Sequence, residues 1–248
     1  MLIDVHTHLD DKQFLVDLDK VLDRIKENFI VVNNGVDVGS NRKTLELAGK
    51  HNFIKASLGL HPVDALKLSE EEIDKEISFI SKNKNKIISI GEIGLDYHWV
   101  KEDKDKKRQK KIFEKMLILA EKIKKPAIVH SRKAVDDVLE ILTSFKIKVI
   151  LHSFESKKNL VKKAIERQFY FSIPPSVVRS TYFQDLVSLV PFNLILTESD
   201  APYLGPFKNK RNEPSYIAHT IKKISEIKKL NVNKVENSIY RNYRLVFG

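Results

Sequence analysis

Eight short runs rich in β-branched residues alternate along this chain with longer segments of helical spacing, and that alternation restricts the fold more than any other feature. The runs are Leu2–His6, Phe29–Asn34, Phe53–Leu60, Ile87–Glu92, Ala127–His130, Val149–His152, Phe169–Ile173 and Asn193–Glu198. Each has the length and apolar character of a buried strand. Amphipathic helices lie between them. In Ile112–Ile123, for example, Ile112, Met116, Leu119 and Ile123 share one face. Beyond the last run, Ser215–Leu230 and Val232–Val246 read as two further helices, and Pro126 and Pro191 mark helix-to-strand boundaries. Strands that alternate with helices imply a parallel sheet, and a count of eight implies a closed (β/α)8 TIM barrel in one domain, 1–248. An open doubly wound sheet is the alternative. It usually carries a Gly-rich phosphate fingerprint after its first strand, and none is present.

The length of 248 residues suits one such barrel, and an apolar fraction of 42% supplies its core. No apolar run approaches the ~18 residues that span a bilayer, and the N-terminus lacks a basic-then-apolar leader. The expectation is a cytoplasmic protein without membrane association, and no feature points to a protein partner. The absence of cysteine excludes a disulfide framework, a thiolate nucleophile and a Cys-based zinc site. Any metal must be held by His, Asp and Glu. The net charge of +11 fits a polyanionic partner such as nucleic acid, and fits equally a surface of solvated lysines.

A barrel carries its chemistry at the C-terminal ends of its strands, and five of the eight histidines fall there. His6 and His8 close the first strand; at i and i+2 of an extended segment they share a face. His61 follows the third strand, His130 closes the fifth and His152 closes the sixth. Glu92 closes the fourth and Asp200 follows the eighth. His51, His98 and His219 fall in helix or loop and receive no ligand role. Clustered imidazoles with two carboxylates suit Mg²⁺, Mn²⁺ or Zn²⁺. They exceed the needs of one catalytic ion, so Glu92 is placed between two ions, ~3.5–4 Å apart in sites of this kind. Asp200 is the candidate to hold one ion and to take the proton of the attacking water. His61 stands apart from the first pair and is assigned to substrate. A glycosidase acid/base pair would leave the imidazoles without a use. No nucleophile-elbow serine and no phosphate-cradling loop is present.

Seven landmarks in order then carry a family resemblance. They are His6-Thr7-His8-Leu9-Asp10, Gly59-Leu60-His61-Pro62, Gly91-Glu92-Ile93-Gly94-Leu95-Asp96-Tyr97, Ile128-Val129-His130-Ser131-Arg132, His152-Ser153-Phe154, Thr197-Glu198-Ser199-Asp200-Ala201-Pro202-Tyr203-Leu204 and Lys210-Arg211-Asn212-Glu213-Pro214. With these the chain resembles the TatD family of metal-dependent deoxyribonucleases, within the amidohydrolase-like barrels. The resemblance implies ligands at His6, His8, Glu92, His130, His152 and Asp200, and a substrate contact at His61. It also implies hydrolysis of phosphodiester bonds in DNA or RNA with Mg²⁺ or a similar ion, as an exonuclease. Two positions depart from the family pattern. Glu155-Ser156 stands where the family usually has a glycine, and the segment between Leu204 and Lys210 is short.

Basic side chains offer phosphate contacts. Lys208, Lys210 and Arg211 follow the eighth strand, where this architecture often binds phosphate. The Lys-rich stretch Lys101–Lys111 reads first as a solvated helix start. Trp99 lies just beyond Glu92 and could stack on a base or simply pack its loop. The same centre could attack a carbonyl, so a D-aminoacyl-tRNA deacylase or another amidohydrolase is the alternative activity. A non-catalytic nucleic-acid-binding barrel would be expected to have lost ligands, and this chain keeps them.

Overall fold

Each of the eight apolar runs forms a strand, and the strands pair in chain order in one parallel sheet. The structure is a computed structural model that describes residues 1–248. The strands are β1 (Leu2–Thr7), β2 (Phe29–Asn34), β3 (Ile54–Leu58), β4 (Ile87–Asp96), β5 (Ala127–Arg132), β6 (Val149–Leu151), β7 (Tyr170–Ile173) and β8 (Ile195–Thr197). The helices are α1 (Leu18–Asp23), α2 (Val38–Lys50), α3 (Pro62–Ala65), α4 (Glu70–Lys82), α5 (Asp103–Lys122), α6 (Val135–Ile141), α7 (Lys158–Glu166), α8 (Thr181–Leu189), α9 (Ile217–Lys228) and α10 (Val232–Phe247).

Local chemistry fixes where helices begin. Asp37 and Ser69 each accept a hydrogen bond from the amide three residues on, and Ser40 and Glu72 return it, so α2 and α4 start with reciprocal caps. In α5, Ile112, Met116 and Leu119 are buried against the sheet, the face expected from their spacing. One continuous cluster of buried apolar side chains runs from Ile3 to Val246, so no internal boundary divides the chain. A fully buried side chain such as Phe171 contributes on the order of 1.5–3 kcal/mol by leaving water. No helix is long and apolar enough to cross a membrane.

The barrel closes between β8 and β1 without a regular ladder. Thr197 Oγ1 donates to the Ile3 carbonyl, and the Ser199 amide donates to Asp4 Oδ1 at 2.8 Å. The Asp200 amide donates to the His6 carbonyl at 2.8 Å, and the His8 amide to the Ala201 carbonyl at 2.9 Å. This seam locks the loop carrying Asp200 to the strand carrying His6 and His8. Outside it, Asn242 of α10 donates to the Phe192 and Ile195 carbonyls.

Several strand ends differ from the sequence expectation. Glu92 does not close β4: the strand continues to Asp96 and β5 continues to Arg132, paired Gly94 to His130 and Asp96 to Arg132. Gly94 makes this possible. Its φ is +146°, and a Cβ there would lie 2.0 Å from the His130 carbonyl oxygen. β3 and β8 are shorter than expected: Phe53 falls in the turn before β3, and Leu194 in a short 3-10 helix before β8.

Candidate active site at the mouth of the barrel

The six proposed ligands converge on one point at the C-terminal mouth. His6 and His8 leave β1 on the same side, with their Nε2 atoms 3.1 Å apart. His8 Nδ1 donates to the Asn34 carbonyl at 3.0 Å, which leaves Nε2 facing the site. The seam brings Asp200 Oδ1 to 3.6 Å from each of these Nε2 atoms.

Glu92 lies at the centre, and its two oxygens face different partners. Oε2 is 3.4 Å from His6 Nε2 and 3.5 Å from His8 Nε2. Oε1 is 2.9 Å from His130 Nδ1 and 4.0 Å from His152 Nε2. The Glu92 amide donates to the Gly35 carbonyl, and Gly59 passes so close that a Cβ would lie 2.4 Å from the Glu92 carbonyl oxygen. That approach explains a glycine two residues before His61.

Two carboxylates that sequence reasoning left without a role hold the outer nitrogens of the second histidine pair. Asp96 Oδ2 accepts from His130 Nε2 at 3.0 Å, and Glu198 Oε2 accepts from His152 Nδ1 at 2.9 Å. Their positions carried the signal. Asp96 lies four residues beyond Glu92 in the same strand, an even spacing that strand periodicity puts on one face, and Glu198 lies two residues before Asp200 in the turn that follows β8.

His61 behaves differently. It caps α3, where Pro62 has no amide proton, so the Val63 amide is the first to need an acceptor and donates to His61 Nδ1 at 3.3 Å. The same Nδ1 lies 3.5 Å from Asp64 Oδ2, and Nε2 points inward, 3.9 Å from Glu92 Oε1.

The charges fit a cation. Burial alone would raise Glu92, yet its interaction with His6 and the His130 hydrogen bond hold it well below the usual carboxylate range. Burial would likewise raise Asp200, but His152 and His8 keep it low. Burial drives His6 down to about 3. It opposes protonation of His8 as well, but the Asp200 hydrogen bond and the charges of Glu92 and Asp200 carry His8 up to about 9. His152, against the same burial, is carried up to about 10 by Glu198 and Asp200. Protons thus occupy nitrogens that converge on carboxylate oxygens, which is where divalent ions fit. Three overlapping groups of these side chains could hold a metal ion: His6, His8 and Glu92; His6, His152 and Asp200; and Glu92, His130 and His152.

The site opens into a cleft of about 1210 Å³ whose walls differ in charge. Asp10, Asp11 and Asp64 line the side following β1 and β3; Arg132, Lys133 and Lys157 line the side following β5 and β6, accompanied by Asp136 and Glu155. Trp99 stands on this rim, while Tyr97 donates its hydroxyl to Asp137 at 2.6 Å on the outside. The three basic residues chosen from sequence, Lys208, Lys210 and Arg211, lie elsewhere. Arg211 pairs with Asp17 through two hydrogen bonds of 2.6 and 2.7 Å and packs over Phe14, and Lys210 sits over the Phe207 ring. None of the three lines the cleft. Within the Lys101–Lys111 stretch, Lys106 pairs with Asp103 and Lys110 with Asp137.

Comparison with known proteins agrees with this fold. The family described as TatD related DNase matches residues 3–248. The protein named uncharacterized metal-dependent hydrolase YabD of Bacillus subtilis is 34% identical over 260 residues, covering 100% of this chain and 99% of its own. Human deoxyribonuclease TATDN3 is 32% identical over 246 residues, covering 94% of this chain and 90% of its own. The crystal structure of YJJV, a TatD homolog from Escherichia coli, shares the fold with a TM-score of 0.89 at 22% identity, covering 99% of this chain and 97% of that one. The chain belongs to the TatD related DNase family and is, with it, a metal-dependent hydrolase.

Proposed function

We propose that this enzyme hydrolyses phosphodiester bonds in nucleic acid with two divalent ions, and that it works from a strand end. The observation that carries the reading is the division of Glu92, with one oxygen toward His6 and His8 and the other toward His130 and His152. A carboxylate so shared suits a bridge between two ions. Mg²⁺ is the first candidate, and Mn²⁺ or Zn²⁺ suits the same donors. Bound ions would supply Lewis acidity at the phosphate and ease deprotonation of water.

The chain's own groups supply the rest. Asp200, ionised despite its burial, accepts the proton of the attacking water. His61 Nε2 donates toward a non-bridging phosphate oxygen, and Arg132 and Lys133 hold the flanking phosphate. The charge difference across the cleft supports the exonuclease mode. A backbone drawn to the Arg132 side would meet Asp10, Asp11 and Asp64 if it continued past the ions, so a terminus fits better than an interior bond.

That acidic wall also favours a second reading. It could receive the free ammonium of an aminoacyl ester, as a D-aminoacyl-tRNA deacylase requires. One assay separates the two: linear and circular single-stranded DNA, RNA and D-aminoacyl-tRNA are incubated side by side with Mg²⁺. The nuclease reading expects the linear strand to be degraded, the circle to be spared and chelation to stop the reaction. Release of the amino acid with intact strands would favour the deacylase, and cleavage of the circle would remove the exonuclease mode. Glu92→Gln and Asp200→Asn should each lower the rate by at least ~10²-fold.

A further inference from the structure

The only tryptophan of the chain stands on the rim of the cleft with 66% of its surface exposed, and neither metal binding nor proton transfer uses it. Single exposed apolar side chains are common, so exposure alone decides nothing. Its supports are more telling. Asp96 Oδ1 accepts hydrogen bonds from the amides of His98 and Trp99 at 2.8 and 3.0 Å, which fixes the backbone beneath the ring. The other oxygen of Asp96 holds His130. One carboxylate therefore sets both the orientation of a proposed ligand and the position of the indole relative to it.

The ring's own surroundings are those of a nucleotide site. The His98 ring meets it edge-on at 4.8 Å, and the Arg132 guanidinium lies 5.7 Å from its centre. Lys133 continues the same wall. An anchored aromatic plane beside a cation matches an unpaired base and the phosphate next to it. A base inside a duplex has both faces covered and cannot reach such a plane.

We propose that Trp99 is a stacking platform for an unpaired base of the substrate strand, with Arg132 on the adjoining phosphate. The proposal rests on the nuclease reading. Because there is no other tryptophan, the protein's own indole fluorescence reports on this ring.

The test titrates the Mg²⁺-loaded full chain with a short oligothymidylate and with an abasic oligomer of equal length, both with phosphorothioate linkages to hold off cleavage. The thymidylate should quench the fluorescence and bind roughly 5-fold or more tighter than the abasic strand, the least that one stacked base is worth. Trp99→Ala, followed by the anisotropy of an end-labelled oligomer because it has no indole, should keep its melting temperature and lose that preference, and Trp99→Phe should regain part of it. Arg132→Ala should weaken both oligomers and flatten the salt dependence; an unchanged slope removes Arg132 from the proposal. Equal binding of the two oligomers to the unaltered chain, without quenching, overturns the platform and leaves the nuclease reading standing. Failure of both oligomers to bind overturns that reading and the platform with it.

Discussion

Glu198 Oε2 accepts a hydrogen bond from His152 Nδ1 at 2.9 Å, and this bond turns His152 Nε2 toward Glu92 and Asp200. Glu198 is fully buried and also accepts from the Ser172 hydroxyl, so its oxygen cannot swing away. A carboxylate behind an imidazole raises the basicity of the inward nitrogen and fixes its tautomer.

Glu198→Gln keeps the size of that side chain and removes its charge. The variant should bind divalent metal roughly 10–100-fold more weakly while remaining folded. Competition with a metal-binding chromophore measures this directly. Affinity equal to that of the unaltered protein would mean that His152 needs no support.

The six converging side chains were legible because barrel geometry reduces a three-dimensional question to one of position: does the residue sit at the C-terminal end of a strand? His6, His8, His130 and His152 answer it from sequence alone, and the structure brings them together with Glu92 and Asp200. Arg211 illustrates what could not be read. Its side chain is taken by Asp17, 194 positions earlier, and no local pattern announces such a pairing. The extent of β4 was hidden for a related reason. Pairing past Glu92 depends on how closely Gly94 can approach His130, a contact between two strands rather than a property of one.

The Arg211–Asp17 pair changes which residues should govern salt dependence. Arg211 is already neutralised, so Arg211→Ala should leave the slope of log affinity against log salt unchanged for single-stranded DNA. Lys133→Ala, on the cleft wall, should reduce its magnitude by about 0.7, the value for one phosphate contact on a single strand. Binding measured over a range of salt concentrations decides between them. A flattened slope for Arg211→Ala alone would return the phosphate path to the loop after β8.

The histidine pKa values predict how pH acts on metal binding. Without metal, His8 is carried up to about 9 and His152 up to about 10, so binding must displace their protons. Both values lie above the ~6.5 of an unfolded histidine. Their protonation therefore stabilises the metal-free fold fully below about pH 6.5, and that contribution is lost as pH rises through about 9 to 10. His6, pushed down to about 3, is neutral in this range and adds nothing to the trend. The difference in melting temperature between Mg²⁺-loaded and EDTA-treated protein should widen from neutral pH toward pH 9. A constant difference would mean that metal and protons do not compete for these nitrogens.

The last landmark of the sequence acts on Asp200 through Asn212. Asn212 is fully buried, and its Nδ2 donates to the Ser199 and Tyr203 carbonyls, each at 2.6 Å, spanning the turn that presents Asp200. Within that turn Asp200 has a φ of +53°, a left-handed conformation that costs a non-glycine residue roughly 1–2 kcal/mol. On either side of Asn212, Arg211 grips Asp17 and Glu213 grips Arg24, which tie the segment to the loop after β1 and to α1. Asn212→Ala leaves two buried carbonyls without a donor, at about 1–3 kcal/mol each, so the melting temperature should fall. More specifically, kcat should fall much further than the affinity for an oligonucleotide, because the Trp99 side of the cleft is untouched. Asn212→Asp keeps the shape and the acceptor for the Glu213 amide but loses both donors, so it should be as slow as the alanine variant. If the aspartate variant keeps full kcat, those two hydrogen bonds do not position Asp200, and the seam to β1 alone must hold it.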